Sequence, residues 1–247
     1  MIEKSHIKKA RGWTKLLIAL LPILMTTTSW AQVAAGNYTI GPGQSPYPTL
    51  TALFTAAGAG TGAQGAVVAT LAANYVSSAE TFPIVVKNNS ATNTITIVPG
   101  ASGLSITSST NATATINFSN TTNCKNVIFD GRVNGTGSTP DLTISNTLVS
   151  PTGAPAISFT DATSNTIKYC KISSNNVSLT NGTIAFAAGV GTGNDNNTID
   201  NNVITNVSNA DGTSTASSIT ATTLTVGGTV TGTFTVGSLL SGTGILP

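Results

Sequence analysis

Two short groups of acidic residues are where this sequence could do chemistry. Asp130-Gly131-Arg132 sets a carboxylate two residues from a guanidinium, and Asp195 and Asp200 lie in the Asn/Gly-rich run 191–200, GTGNDNNTID. A polysaccharide lyase needs several carboxylates around a calcium ion and a Lys or Arg as base. A glycoside hydrolase needs two carboxylates at a set separation. Asp130, Arg132, Asp195 and Asp200 are therefore the catalytic candidates, and Asp195 and Asp200 are also calcium candidates as oxygen donors. The run lacks the Glu-terminated spacing of an EF-hand loop. The plainer reading is that these acids cap turns or sit in solvent.

Little else is available for catalysis. The chain has 247 residues, 7% of them charged, where roughly 25% is usual. Residues 1–15 hold Lys4, Lys8, Lys9, Arg11 and Lys15 against Glu3, and Leu16 to Met25 is an apolar run of ten. Small residues Ser29 and Ala31 then precede Gln32. A basic segment, a short apolar segment and a small-residue site are the parts of a secretory signal peptide. Cleavage is expected between Ala31 and Gln32, giving a secreted or cell-surface product. Ten apolar residues are about half of the roughly 20 that span a bilayer, and no membrane span is expected in the mature chain.

Removing the leader changes the balance. The net +2 of the whole chain becomes five bases (Lys87, Lys125, Arg132, Lys168, Lys171) against seven acids (Glu80, Asp130, Asp141, Asp161, Asp195, Asp200, Asp211). No basic patch remains for nucleic acid. His6, Trp13, Trp30, Met1 and Met25 all lie in the leader. Ser-His-Asp and Cys-His machinery and imidazole zinc sites therefore cannot be built from residues 32–247. No cofactor is indicated apart from calcium at the acidic run.

The elements that must position Asp130 and its companions read as β. The chain holds 44 Thr, 23 Asn and 25 Gly, residues of strands and turns. One helix is expected in the N-terminal cap, 32–66, where Leu50, Leu53, Phe54 and Ala57 share a helical face. From Val67 on, short apolar runs alternate with polar turns. They are 67–71, 82–86, 94–98, 104–106, 113–118, 126–130, 141–145, 156–159, 165–169, 183–187, 197–200 and 202–205, none longer than about six residues.

A weak repeat runs through 67–209. Ile116-x-Phe118, Asn126-x-Ile128 and Ile144 form one copy. Ile157-x-Phe159, Asn165-x-Ile167 and Ile172 form the next, and Ile184-x-Phe186, Asn197-x-Ile199 and Ile204 the third. The longer first interval contains NGTGSTP (134–140), an inserted turn. Three short strands per roughly 30 residues is the unit of a right-handed parallel β-helix, a solenoid whose open end a short helix can cover. An antiparallel β-sandwich also uses short strands and polar turns, but does not predict the same unit recurring in register. The expected fold is all-β, a parallel β-helix with a short N-terminal capping helix. On this alignment Asp130 shares a column with Tyr169 and Asn201, and Asp200 shares one with Phe129 and Lys168, so the acids form no single column. Cys170 falls with Gly131 and Asn202, away from Cys124. A secreted setting permits a bridge, but two buried thiols fit this placement better.

GNYTIGPG…YPTLTALFTA, with TNTITIVPGA, NVIFDGR, SNTIKYCKI and TGNDNNTIDNNVI, resembles the N-terminal region of secreted bacterial right-handed parallel β-helix surface proteins with pectate-lyase-like architecture. The resemblance covers about 36–209. It implies an extracellular or cell-surface place and adhesion or carbohydrate contact, and carries over no catalytic set. Residues 210–247, rich in Thr, Gly and Val, resemble the short β repeats of phage-tail and surface-fibre proteins and read as a β tail or a truncated module. The expected role is non-catalytic adhesion, display or glycan binding. An extracellular polysaccharide or cell-surface glycan would be held by Asn, Thr and tyrosines such as Tyr38, Tyr47, Tyr75 and Tyr169. The alternatives are a fragment of a polysaccharide lyase or hydrolase, and a fibre-like structural module. The last coil of a β-helix leaves an open edge, so a downstream domain or self-association there is also expected.

Overall fold

A computed structural model describes residues 32–110, 113–119, 124–150, 154–176, 182–187, 189, 191, 193–206, 212–220 and 223–232. The leader and its cleavage site, except Gln32, lie outside these residues, as do 233–247 of the Thr/Gly-rich tail. Among the described residues, no helix is long and apolar enough to cross a membrane.

The chain is mostly β, and its main sheets are parallel. A six-stranded sheet runs in the order β1 (Gly36–Ile40), β2 (Val67–Leu71), β4 (Ile95–Pro99), β7 (Val127–Asp130), β10 (Thr166–Lys168) and β13 (Thr198–Asp200). A second sheet holds β5 (Ser105–Ser108), β8 (Leu142–Ser150), β11 (Cys170–Asn176) and β14 (Val203–Asn206). A third holds β3 (Ile84–Val85), β6 (Ile116–Ser119), β9 (Ile157–Thr160) and β12 (Ile184–Ala187). From β3 onward the chain visits the third, first and second sheets in fixed rotation. Each new strand pairs with the one placed in the same sheet a rotation earlier. β15 (Gly212–Thr220) and β16 (Thr223–Gly232) pair antiparallel instead.

In-register pairing stacks like on like, with neighbouring strands roughly 4.8 Å apart. Ile106, Ile144, Ile172 and Ile204 form one column, and Ile84, Ile116, Ile157 and Ile184 another. Phe118 stacks on Phe159 at 4.5 Å between ring centroids, and Phe159 on Phe186 at 4.8 Å. Alternation turns these side chains inward, burying all but the last of each column, and the intervening Thr, Ser and Asn outward.

The expected helix is present as α1 (Leu50–Ala57), with Leu50, Leu53, Phe54 and Ala57 all buried. Its first turn is held twice. The Thr49 hydroxyl accepts from the Ala52 amide, and the Glu80 carboxylate accepts from the amides of Leu50 (2.7 Å) and Thr51 (2.9 Å). A carboxylate there also offsets the positive end of the helix dipole.

Three expectations need correction. Strands do exceed six residues: β8 has nine and β11 has seven. The polar sequences LTISNTLVS and CKISSNN are held extended by their mutual pairing over Leu142–Asn146 and Cys170–Ser174, which resumes after a register shift at Ser150 and Asn176. β1 was not anticipated, because GNYTI has little alternation of its own and is ordered by pairing with β2.

The repeat alignment is also off by one residue in the six-stranded sheet. Ile128 pairs with Thr166 and Phe129 with Ile167, so Asn165 lies opposite Val127 rather than Asn126. The residues that correspond are Asn126, Ser164 and Asn196, all at left-handed bends with φ of 57°, 58° and 57°. Matching Asn to Asn concealed this, because a serine fills the middle bend. A one-residue slip would have turned a strand's inward set outward. Lys168 would then have faced the buried Phe129.

Asparagine side chains tie successive rotations together at the turns. The Asn197 amide oxygen accepts from the Asn165 backbone at 3.0 Å, and its nitrogen donates to the Ala162 carbonyl. Asn202 likewise accepts from the Cys170 amide and donates to the Ile167 carbonyl. Asn165 accepts from the Val127 amide and donates to the Cys124 and Thr163 carbonyls. These bonds pair backbone groups that the sheets leave over at their corners.

Candidate functional site

The corrected register brings three charges into one outward column on the six-stranded sheet. Lys168 pairs with Asp130 on one side and with Asp200 on the other. Thr166 and Thr198 lie side by side in the outward column two residues earlier, next to Ile128. Asp130 and Asp200, which the sequence alignment places one position apart, share this column with Lys168 between them, while Asp195 lies outside it.

Asp130 ends β7 and is buried. Its Oδ2 is 2.6 Å from Arg132 Nη2 and 3.3 Å from Lys168 Nζ. Its Oδ1 accepts from Arg132 Nε at 2.8 Å and from the Arg132 backbone amide at 3.2 Å. Burial works against the charged carboxylate. The hydrogen bonds from the Arg132 side chain and backbone and from Lys168 outweigh it and hold Asp130 below its ordinary pKa. The Asp130 hydrogen bond in turn raises the Arg132 pKa. The guanidinium also lies 4.5 Å above the Tyr169 ring centre, and Nη1 donates to the Gly137 carbonyl at 3.2 Å. Arg132 thus fastens the inserted loop to the sheet.

The backbone is tight at the same place. Tyr169 sits at φ 52°, an unusual conformation for a bulky side chain. Asn201, one rotation on, has φ 51°. Gly131 packs directly on the Tyr169 carbonyl oxygen, and a Cβ there would collide with it. Gly131 N donates to the Lys168 carbonyl at 2.9 Å. The sequence Asp-Gly-Arg therefore meets three local demands: a carboxylate to gather two cations, a residue without a side chain at a close crossing, and a guanidinium over an aromatic ring.

Asp195 and Asp200 are exposed and are not drawn into this cluster. The Asp195 carbonyl accepts from the Ser164 amide, and Asp200 Oδ2 accepts from Asn201 Nδ2 at 2.9 Å. Among the described residues, no three His, Cys, Asp or Glu side chains are gathered closely enough to hold a metal ion. Asp195 and Asp200 supply two carboxylates at most.

A further carboxylate, Asp161, for which the sequence suggests no role, holds the backbone of Gly191 and Gly193. It is buried, and it accepts from the amides of Gly191 (3.2 Å) and Gly193 (3.1 Å). Gly189 packs against the carboxylate so closely that a Cβ could not fit. The available signal was the glycine spacing GVGTG, which leaves backbone amides free to converge on an anion.

Of the four tyrosines offered for glycan contact, Tyr75 must be withdrawn. It is buried, its hydroxyl donates to Glu80 at 3.0 Å, and burial with the Glu80 charge raises its pKa far above the ordinary value. Tyr38 and Tyr47 meet edge-on at 5.1 Å and pack against the core near the first strand. Tyr169 remains on the outer corner beside Arg132.

Both cysteines are free and buried. Cys170 lies opposite Leu142 rather than Gly131, because the inserted loop separates Gly131 from β8. Burial and then the nearby Asp130 push the Cys170 thiol up to about 12, and burial pushes Cys124 up as well.

An open hollow of about 530 Å³ lies beside the first rotation, lined by Gly60, Thr61, Gln64, Asn89, Ser90 and Asn93 among others. Its side-chain amides are already engaged. Asn93 donates to the Ala63 carbonyl, Asn89 to Gly58 and Gly60, and Gln64 to Gly62.

No family model matches the chain, no curated protein matches it, and no solved structure matches it.

Proposed function

We propose that this chain is a secreted or cell-surface protein built as a right-handed parallel β-helix, and that it acts in adhesion, display or glycan contact without chemistry of its own. The observation that carries the reading is the state of Asp130. Its two oxygens are taken up by Arg132 and Lys168, and its lowered pKa leaves no proton to donate near neutral pH. A carboxylate so committed fastens a loop.

The outer face offers a pair of hydroxyls, Thr166 and Thr198, on neighbouring strands roughly 4.8 Å apart, with Lys168 and Asp200 beside them. A polymer with a short repeat can meet the pair with one contact on each of two units, and Tyr169 supplies an aromatic edge. The basic-apolar leader and the expected cut between Ala31 and Gln32 support secretion. The fixed rotation of strands through three sheets supports the solenoid.

A second reading, a fragment of a polysaccharide lyase or hydrolase, is favoured by one observation: Lys168 stands between two carboxylates in a single column. Attachment of the purified chain to cells tests the first reading. Saturable attachment competed by soluble glycan is expected. Release of unsaturated or reducing ends from acidic polysaccharides, lost in Asp200→Ala, would instead establish the second.

A further inference from the structure

The two ends of the parallel stack differ. At the first, α1 turns Leu50, Leu53, Phe54 and Ala57 inward and leaves none of them exposed. At the other, β12, β13 and β14 are each the last strand of their sheet among the described residues. Phe186 is 54% exposed and Ile204 48%, while their column mates Phe118, Phe159, Ile144 and Ile172 are fully buried. An aromatic stack and an aliphatic column both stop with one face open.

The same end carries an unmatched charge. Residues 182–206 contain Asp195 and Asp200 and no Lys or Arg. In the outward column Asp130 is followed by Lys168 and then by Asp200. Lys168 is bonded to Asp130 at 3.3 Å, and Asp200 forms no ion pair among the described residues. A cation on the next strand would extend the alternation.

We propose that this end is a docking edge for a partner polypeptide that adds in parallel, in register, as one further three-strand turn. The partner presents an aromatic side chain over Phe186, an aliphatic one over Ile204 and a Lys or Arg opposite Asp200. Backbone bonds to the edges of β12, β13 and β14, which pair with no further strand among the described residues, give the attachment, and the side-chain columns give the register. A second copy of this chain fits poorly. Two open ends meeting would set Asp195 and Asp200 against their own counterparts, and the α1 end has its apolar residues turned inward. The inference rests on strand register and exposure alone, so it stands or falls separately from glycan contact.

The test uses the full chain and a synthetic peptide of residues 155–176 with Cys170→Ser. This peptide carries Phe159, Lys168 and Ile172, the three features the edge asks for. Fluorescence anisotropy should show saturable binding, weakened at least tenfold when the peptide carries Lys168→Glu. The exposed substitution Asp200→Lys in the full chain, with its unfolding transition unchanged, should reverse that preference. Binding of neither peptide, or equal binding of both, would overturn the proposal. So would light scattering that shows the full chain associating with itself through the same edge, with Phe186→Asp dispersing the complex.

Discussion

The Lys168 ammonium sits 3.3 Å from the Asp130 carboxylate across neighbouring strands of the six-stranded sheet. Arg132 approaches the same carboxylate oxygen at 2.6 Å from the inserted loop. Asp130 is thus shared by a strand and a loop, and removing its charge should release both.

Asp130→Asn is expected to lower stability by about 1–3 kcal/mol, since it leaves two cations without their partner. The exposed part of the Arg132 side chain keeps the loss toward the low end. The pH dependence has a definite sign. A carboxylate whose pKa is lower folded than unfolded contributes stability above the unfolded value, and loses it as pH falls through the folded value. Wild type should therefore lose this contribution below about pH 4, and urea midpoints of the variant should fall less steeply there. Parallel acid limbs for the two proteins would refute the assignment.

The phenylalanine stack predicts a gradient. Phe159 is fully buried between Phe118 and Phe186, whereas Phe186 is 54% exposed. Phe159→Ala should cost about 3–5 kcal/mol, and Phe186→Ala about 1 kcal/mol or less, because much of its surface is already in water. Thermal unfolding of the two variants checks the order. Equal losses would mean that the Phe186 face is covered in solution.

Gly131→Ala should be more damaging than its small size suggests, because the added methyl would meet the Tyr169 carbonyl. A shift of either backbone also disturbs the Gly131–Lys168 hydrogen bond. A loss of about 2 kcal/mol or more is expected. A neutral result by chemical denaturation would show that the crossing is looser than described.

Much of this fold is legible in the sequence because it repeats. The Ile-x-Phe pairs at 116, 157 and 184 predict the aromatic and aliphatic columns, and the spacing of Leu50, Leu53, Phe54 and Ala57 predicts α1. What escapes is what depends on exact register. Asn126 and Asn165 look equivalent, yet the residue that shares the Asn126 bend is Ser164, since a left-handed bend can be filled by more than one small polar residue. That one-residue error hid the column of Asp130, Lys168 and Asp200. The strand rule could have exposed it, because Phe129 must face inward and Lys168 outward. Asp161 was hidden for another reason: its partners are backbone amides some 30 residues away, which carry no side-chain signature.

The two thiols offer a check on burial. With Cys170 raised to about 12 and Cys124 raised as well, neither should react with a thiol reagent at pH 8 in the folded chain. Both should react in denaturant without reductant, since neither is bridged. Rapid labelling of the native protein would contradict the buried placement, and no labelling after unfolding would reveal a disulfide.

The central claim is that the outer face of the six-stranded sheet contacts glycan without turning it over. A glycan array with wild type and the double variant Thr166→Ala/Thr198→Ala tests it most directly. Binding to at least one extended polysaccharide is expected for wild type, reduced about tenfold or more in the variant, with both proteins unfolding at the same temperature. That reduction corresponds to about 1.4 kcal/mol or more, within reach of two lost hydroxyl contacts. No binding by wild type, or equal binding by the two proteins, would contradict the account.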